Sequence, residues 1–120
     1  MQYMLLIYNN EAGMQAAPAD AVKQMSSAYE AYTKALINSG ALKAGDRLRP
    51  TSEATTVRVK DGKTEVLDGP YADTKEQLGG YYLLDVPDLD AALSWAARCP
   101  TAANGTIEVR AIWPMSAPQH

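Results

Sequence analysis

The chain of 120 residues has no phenylalanine, one cysteine, one histidine and no excess of positive charge. Each scarcity excludes something. A single thiol, Cys99, cannot close an internal disulfide, which fits a reducing compartment, and a cytoplasmic location is expected. The one histidine is His120, the last residue, so the folded body offers no Ser–His or Cys–His pairing. No group of His, Cys and carboxylates has the spacing of metal ligands. A net charge of −3 lacks the basic stripe that nucleic acid requires. The opening run Met1–Tyr8 has no basic flank and falls far short of the ~18 apolar residues that suggest a membrane span. No nucleic acid, membrane, metal or cofactor is therefore expected as a partner.

The remaining composition, 47% hydrophobic and 21% charged, is that of one ordinary globular domain. Seven Tyr and two Trp carry the aromatic load. Burying them requires a partner for each OH or N–H.

Residues 2–8 read as a strand apolar on both faces, ending at Asn9-Asn10. The stretch Glu11–Ala17 reads as a loop. Pro18 suits the first position of a helix, and Val22, Met25, Tyr29, Tyr32 and Leu36 form one apolar stripe along it until Gly40. A short extended piece spans Leu42 to Pro50. Thr55–Lys60 and Lys63–Asp68 then flank Asp61-Gly62, a two-residue primed turn that sets Arg58 opposite Glu65 and Val57 opposite Val66. After the turn Asp68-Gly69-Pro70 and a polar connector, Gly79-Gly80 opens the strand 81–86 and permits a bulge or a close backbone approach. Asp88 is a candidate N-cap for a second helix with the apolar face Leu89, Ala92, Leu93, Ala96 and Ala97, stopped at Cys99-Pro100. Residues 106–113 are the last strand, and 114–120 a tail outside the single domain 1–113.

Without the hairpin the order is βαββαβ, an α+β ferredoxin-like arrangement. Two helices cover one face of such a sheet. The first strand is apolar on both sides, so the other face is expected to meet its copy, making a homodimer packed sheet to sheet with a cavity between the sheets.

The segment Asp68-Gly69-Pro70-Tyr71-Ala72-Asp73-Thr74-Lys75-Glu76-Gln77-Leu78-Gly79-Gly80-Tyr81-Tyr82 resembles the signature of the DGPF branch of the YCII-related family. That signature reads D-G-P-F-x-E-x-K-E, then Gly-Gly and a hydrophobic strand. Tyr71 replaces the usual Phe and Asp73 the usual Glu. Gly40, Gly45, Leu48 and Pro50, the helix end Ala96-Ala97-Arg98-Cys99-Pro100, and Glu108-Val109-Arg110 extend the similarity over nearly the whole chain. The resemblance implies a dimeric α/β-barrel fold and no assigned reaction. Genes of this branch often lie beside extracytoplasmic-function sigma factors. Relatives are credited with a His–Asp pair whose histidine lies in the first helix. Tyr29 stands near that position here, and a phenol of pKa ~10 is no base at neutral pH.

Two functional readings follow. In the first, a small polar or aromatic ligand binds at the dimer's sheet face, held by Asp68, Tyr71, Glu108 and Arg110. Cofactor-independent acid/base chemistry there would use Asp73 or Glu76 for the proton and Lys75 or Arg110 for developing negative charge. In the second, the protein is a non-enzymatic module working with a sigma factor. Each residue also has a plain reading. Asp68-Gly69-Pro70 is a turn by composition, Lys75 and Glu76 a solvated pair, Glu108 and Arg110 a same-face ion pair, and Tyr29 and Tyr32 core packing.

Overall fold

A computed structural model describes residues 1–115. His120 and most of the expected tail lie outside the described residues. The chain runs through β1 (Gln2–Asn9), α1 (Glu11–Gln15), α2 (Ala19–Ser39), β2 (Leu42–Arg47), β3 (Thr55–Lys60), β4 (Lys63–Asp68), β5 (Gln77–Asp85), α3 (Leu89–Arg98) and β6 (Thr106–Ala111). The main sheet has the antiparallel order β2-β5-β1-β6, while β3 and β4 form a separate two-stranded hairpin. Without that hairpin the connectivity is βαββαβ. The protein has the expected α+β ferredoxin-like fold.

Tyr3, Leu5 and Ile7 of β1 point under the helices, where they meet Tyr32 and Leu36 of α2, Leu84 of β5, and Ala92, Ala96 and Cys99 of α3 and its end. Met4, Leu6 and Tyr8 alternate onto the opposite face and are half-buried. This two-sided apolarity is what makes β1 read as a continuous run. Opposite Ile7 and Tyr8 the partners are Gly80 and Leu78, so Gly79 is the extra residue of a bulge. A Cβ at Gly80 would stand 2.8 Å from the Asp46 carbonyl oxygen on β2. The Gly-Gly pair thus serves both uses expected of it.

The hairpin register is as read, with Val57 opposite Val66, Arg58 opposite Glu65 and Val59 opposite Thr64. Asp61 and Gly62 both take positive φ, as the primed turn requires. Gly40 closes α2 in the left-handed region, its N–H donating to the Ile37 carbonyl.

Four boundaries or faces differ from expectation. Glu11–Ala17 contains a helix, because the Asn10 side chain accepts from the Gly13 N–H and its carbonyl from the Met14 N–H. β5 begins at Gln77, since backbone pairing to β1 continues through the bulge. β6 ends at Ala111, although the Ile112 N–H still reaches the Gln2 carbonyl. On α3 the core receives Ala92, Ala96 and part of Trp95, whereas Leu89 and Leu93 face solvent. Asp88 caps α3 as expected, accepting from the Ala91 N–H at 2.9 Å. Replacing it with alanine should cost about 1 kcal/mol, read as a lower urea midpoint at unchanged slope; an unchanged midpoint would show the cap to be idle.

Candidate functional site

Seven tyrosines in place of phenylalanine would leave phenol oxygens stranded unless the fold supplied partners. It supplies six. Tyr3 reaches the Met1 sulfur, Tyr8 donates to Glu108, Tyr32 to the Trp95 carbonyl, and Tyr81 to Asp46. Tyr29 and Tyr82 bond to Thr101 and Thr33 respectively. Tyr71 is exposed, with the Arg58 guanidinium 5.6 Å from its ring centre.

Two of these phenols line the main recess. A cleft of about 860 Å³ opens between the N-terminal half of α2 and the helix-facing side of the sheet. Ile7, Gly45, Gly80 and Tyr82 make its floor, Tyr29 and Thr33 its inner wall, Met14, Val22 and Met25 its apolar rim, and Arg47 its lip. Gly45 is required for this shape. A Cβ there would stand 2.8 Å from the Tyr82 ring, which leans across β2. The Tyr82 hydroxyl lies 2.6 Å from Thr33 Oγ1, and that of Tyr29 2.5 Å from Thr101 Oγ1 and 3.3 Å from Cys99 Sγ. Behind them Tyr32 packs edge-on against Tyr29, Tyr82 and Trp95.

Charges at the mouth are mostly engaged. The Glu11 carboxylate accepts from both the Thr51 N–H (2.9 Å) and its hydroxyl (2.5 Å), clasping α1 to the turn after β2. Glu53 pairs with Arg49, whereas Asp46 opposes Tyr81 and Leu6 and so carries its carboxylate to the helix-free face, where it accepts from Tyr81. Arg47 opposes Gly80, which opposes Ile7, so register sets it on the cleft side of β2. Among the described residues it makes no ion pair and no side-chain hydrogen bond. A second, shallower depression of about 700 Å³ between α2 and the end of α3 is walled by four alanines of α2 together with Met25, Gln24, Arg98 and Asn104.

None of the seven residues singled out from the sequence lines the cleft. Three of them come close together on the helix-free face. Glu108 accepts from Tyr8 at 3.2 Å and stands 3.8 Å from Arg110, and Glu76 accepts from Thr106, the neighbour of Tyr8 across the ladder, at 2.7 Å. Asp68, Tyr71, Asp73 and Lys75 lie exposed at the hairpin base and in the connector. The enclosed space thus lies beneath the helices, whereas a cavity on the helix-free face would need a second subunit to close it. Sequence reading passed over Ser26, Thr33 and Arg47. The signal available was two hydroxyls seven residues apart, beside the apolar stripe of α2, which puts them on one side of the helix.

Burial raises the Tyr29 phenol, helped by its hydrogen bond to Cys99, and burial likewise raises Tyr32 and Cys99. These groups stay protonated at neutral pH, as donors and not as bases or nucleophiles. Both phenols have folded pKa values above the 10.0 of the free side chain. Their contribution to stability is therefore complete below pH 10 and lost as pH climbs past it. Ultraviolet titration should show phenolate appearing in more than one step, the last coinciding with loss of helical circular dichroism. A single step with the helices intact would contradict that coupling.

Among the described residues no three His, Cys, Asp or Glu side chains cluster as metal ligands would, and no helix is long and apolar enough to cross a membrane. What remains is an α+β protein with a ferredoxin-like sheet, helices on one face and a hydroxyl-lined cleft beneath them. The chain belongs to the YCII-related domain family, whose model matches residues 1–116. It is 38% identical over 112 residues to a protein of Rhizobium meliloti (strain 1021), covering 92% of this chain and 90% of that relative. The relative is described as uncharacterized, so the kinship carries no reaction with it.

Proposed function

We propose that the protein binds a small carboxylic acid with an aromatic or similarly apolar body in the cleft beneath α2. The observation that carries this reading is Arg47, unpaired among the described residues at the lip of a recess whose own carboxylates, Glu11 and Glu53, already have partners. A guanidinium fork suits a carboxylate. Met14, Val22 and Met25 offer apolar contact to the ligand's body, and Tyr29, Tyr82 and Thr33 offer hydroxyls to a further polar group. The sequence of segment 68–82 supports placing the chain in the DGPF branch, and its Gly79 and Gly80 form part of the cleft floor. With no unengaged base in the cleft, this is a binding site before it is a catalytic one; acid/base chemistry would fall to Glu76, Glu108 and Arg110 across the sheet. On that helix-free face, the half-buried strip of Met4, Leu6, Tyr81 and Leu83 is read as the seat of a second copy.

Amide NMR shifts with benzoate and 4-hydroxybenzoate as probes test the site. Expected are shifts gathered at Asn9, Thr33, Arg47, Gly80 and Tyr82, weaker with benzamide. Affinity should fall roughly 10- to 100-fold in Arg47→Ala, since a charge-assisted bond is worth roughly 1.5–3 kcal/mol. Shifts gathered at Glu108 and Arg110 would move the site to the other face and end this reading.

A further inference from the structure

The hairpin β3–β4 is the least explained part of the molecule. Two strands alone are marginal in water and need a face covered. Yet every residue from Thr55 to Asp68 is exposed except Thr56, which is half-buried. Its two faces differ. One carries Arg58, Glu65, Lys60 and Lys63, with Tyr71 beneath Arg58 and Leu67 as its one large apolar residue. The other carries Val57, Val59 and Val66, which are 61%, 67% and 60% exposed. Three exposed valines on one face of an arm that makes little contact with the rest of its chain form a surface suited to a partner.

Area bears on what that partner is. The chain exposes 8598 Å², whereas a compact monomer of this mass exposes roughly 6,300 Å². Its radius of gyration is 16.7 Å, against about 14 Å for a compact chain of this length. The excess, roughly 2,300 Å², exceeds the roughly 800 Å² that each partner buries in a standard interface. The arm, exposed along nearly its whole length, is one contributor to that excess. It leaves the sheet after β2 and returns at β5, and its six-residue strands span about 20 Å.

We infer that the β3–β4 hairpin is an arm whose Val57, Val59 and Val66 face docks on a second copy of this chain. This rests on the second copy proposed above for the helix-free face and adds to it a contact that each subunit extends to the other. The arm has a clean root, because the Gly69 N–H donates to the Ala54 carbonyl at 2.7 Å. Residues 55–68 can therefore be excised and the ends joined through one glycine without moving the sheet.

Two measurements test it together with sedimentation of the full chain. The first places the photo-crosslinker p-benzoylphenylalanine at Val59 in the purified protein; irradiation should yield a covalent dimer on a denaturing gel. The second compares self-association of the full chain, the arm-excised chain and Val57→Lys. Expected is a dimer for the full chain, weakened about a hundredfold in both variants, the cost of placing a charge in, or removing, a desolvated contact. Helical circular dichroism should be unchanged. A full chain that sediments as a dimer, gives no covalent dimer and associates equally well without the arm overturns the docking but leaves the sheet-face reading standing. A monomer overturns both.

Discussion

Truncating Leu36 to alanine is expected to remove about 3 kcal/mol of stability, whereas Val22→Ala on the same stripe of α2 should cost less than about 0.5 kcal/mol. Leu36 is fully buried between α2 and the sheet; Val22 is 51% exposed at the rim of the cleft. α2 leaves the sheet surface towards its N-terminus, and the space so opened is the cleft. The cost at Leu36 combines lost transfer energy with a cavity that rigid β1 and β5 cannot collapse to fill. Urea midpoints at constant slope give both numbers. Equal costs would mean that Val22 is covered in solution and that the cleft is closed in the free protein.

Tyr32→Ala should be at least as damaging, about 4 kcal/mol, and Tyr32→Phe should cost about 1 kcal/mol. The Tyr32 ring stands edge-on to Tyr82 at 5.5 Å, Trp95 at 6.0 Å and Tyr29 at 6.4 Å, and its hydroxyl donates to the Trp95 carbonyl at 2.7 Å. Removing the ring takes away the support behind both phenols of the cleft. Removing only the hydroxyl leaves one carbonyl unsatisfied and the ring contacts intact. Benzoate shifts at Tyr82 should accordingly vanish in the alanine variant and persist in the phenylalanine variant. Should both variants bind the probe as the parent does, the aromatic cluster has no part in shaping the site.

Local signals were legible where neighbours in sequence decide the outcome. Asp61-Gly62 fixes the hairpin register because positive φ at two adjacent residues admits one strand pairing. Asp88 caps α3 because a carboxylate three residues ahead of an orphan N–H needs nothing else. The helix over Glu11–Gln15 was missed because its cap is Asn10, a residue equally at home ending a strand. The stripe of α2 was seen, but periodicity gives a helix its apolar side without saying how far along that side packing continues.

The candidate site was harder. Charged residues of the connector drew attention as chemistry-bearing types, and four of the seven candidates lie in solvent at the hairpin base and in the loop after it. Glu76, Glu108 and Arg110 meet on the helix-free face through Tyr8 and Thr106, residues with no special pattern. The cleft itself is made by Ser26, Thr33, Arg47 and Gly45, ordinary residues whose meaning depends on what lies opposite them.

Alternation, turn chemistry and helical period were enough to set the order of strands and helices and the ferredoxin-like topology, because each acts over a few residues of chain. The side of the sheet that holds the enclosed space, the partners of six tyrosine hydroxyls and the bareness of Val57, Val59 and Val66 were decided only by tertiary structure. They are relations between surfaces far apart in sequence, and no local preference encodes the distance between α2 and β2.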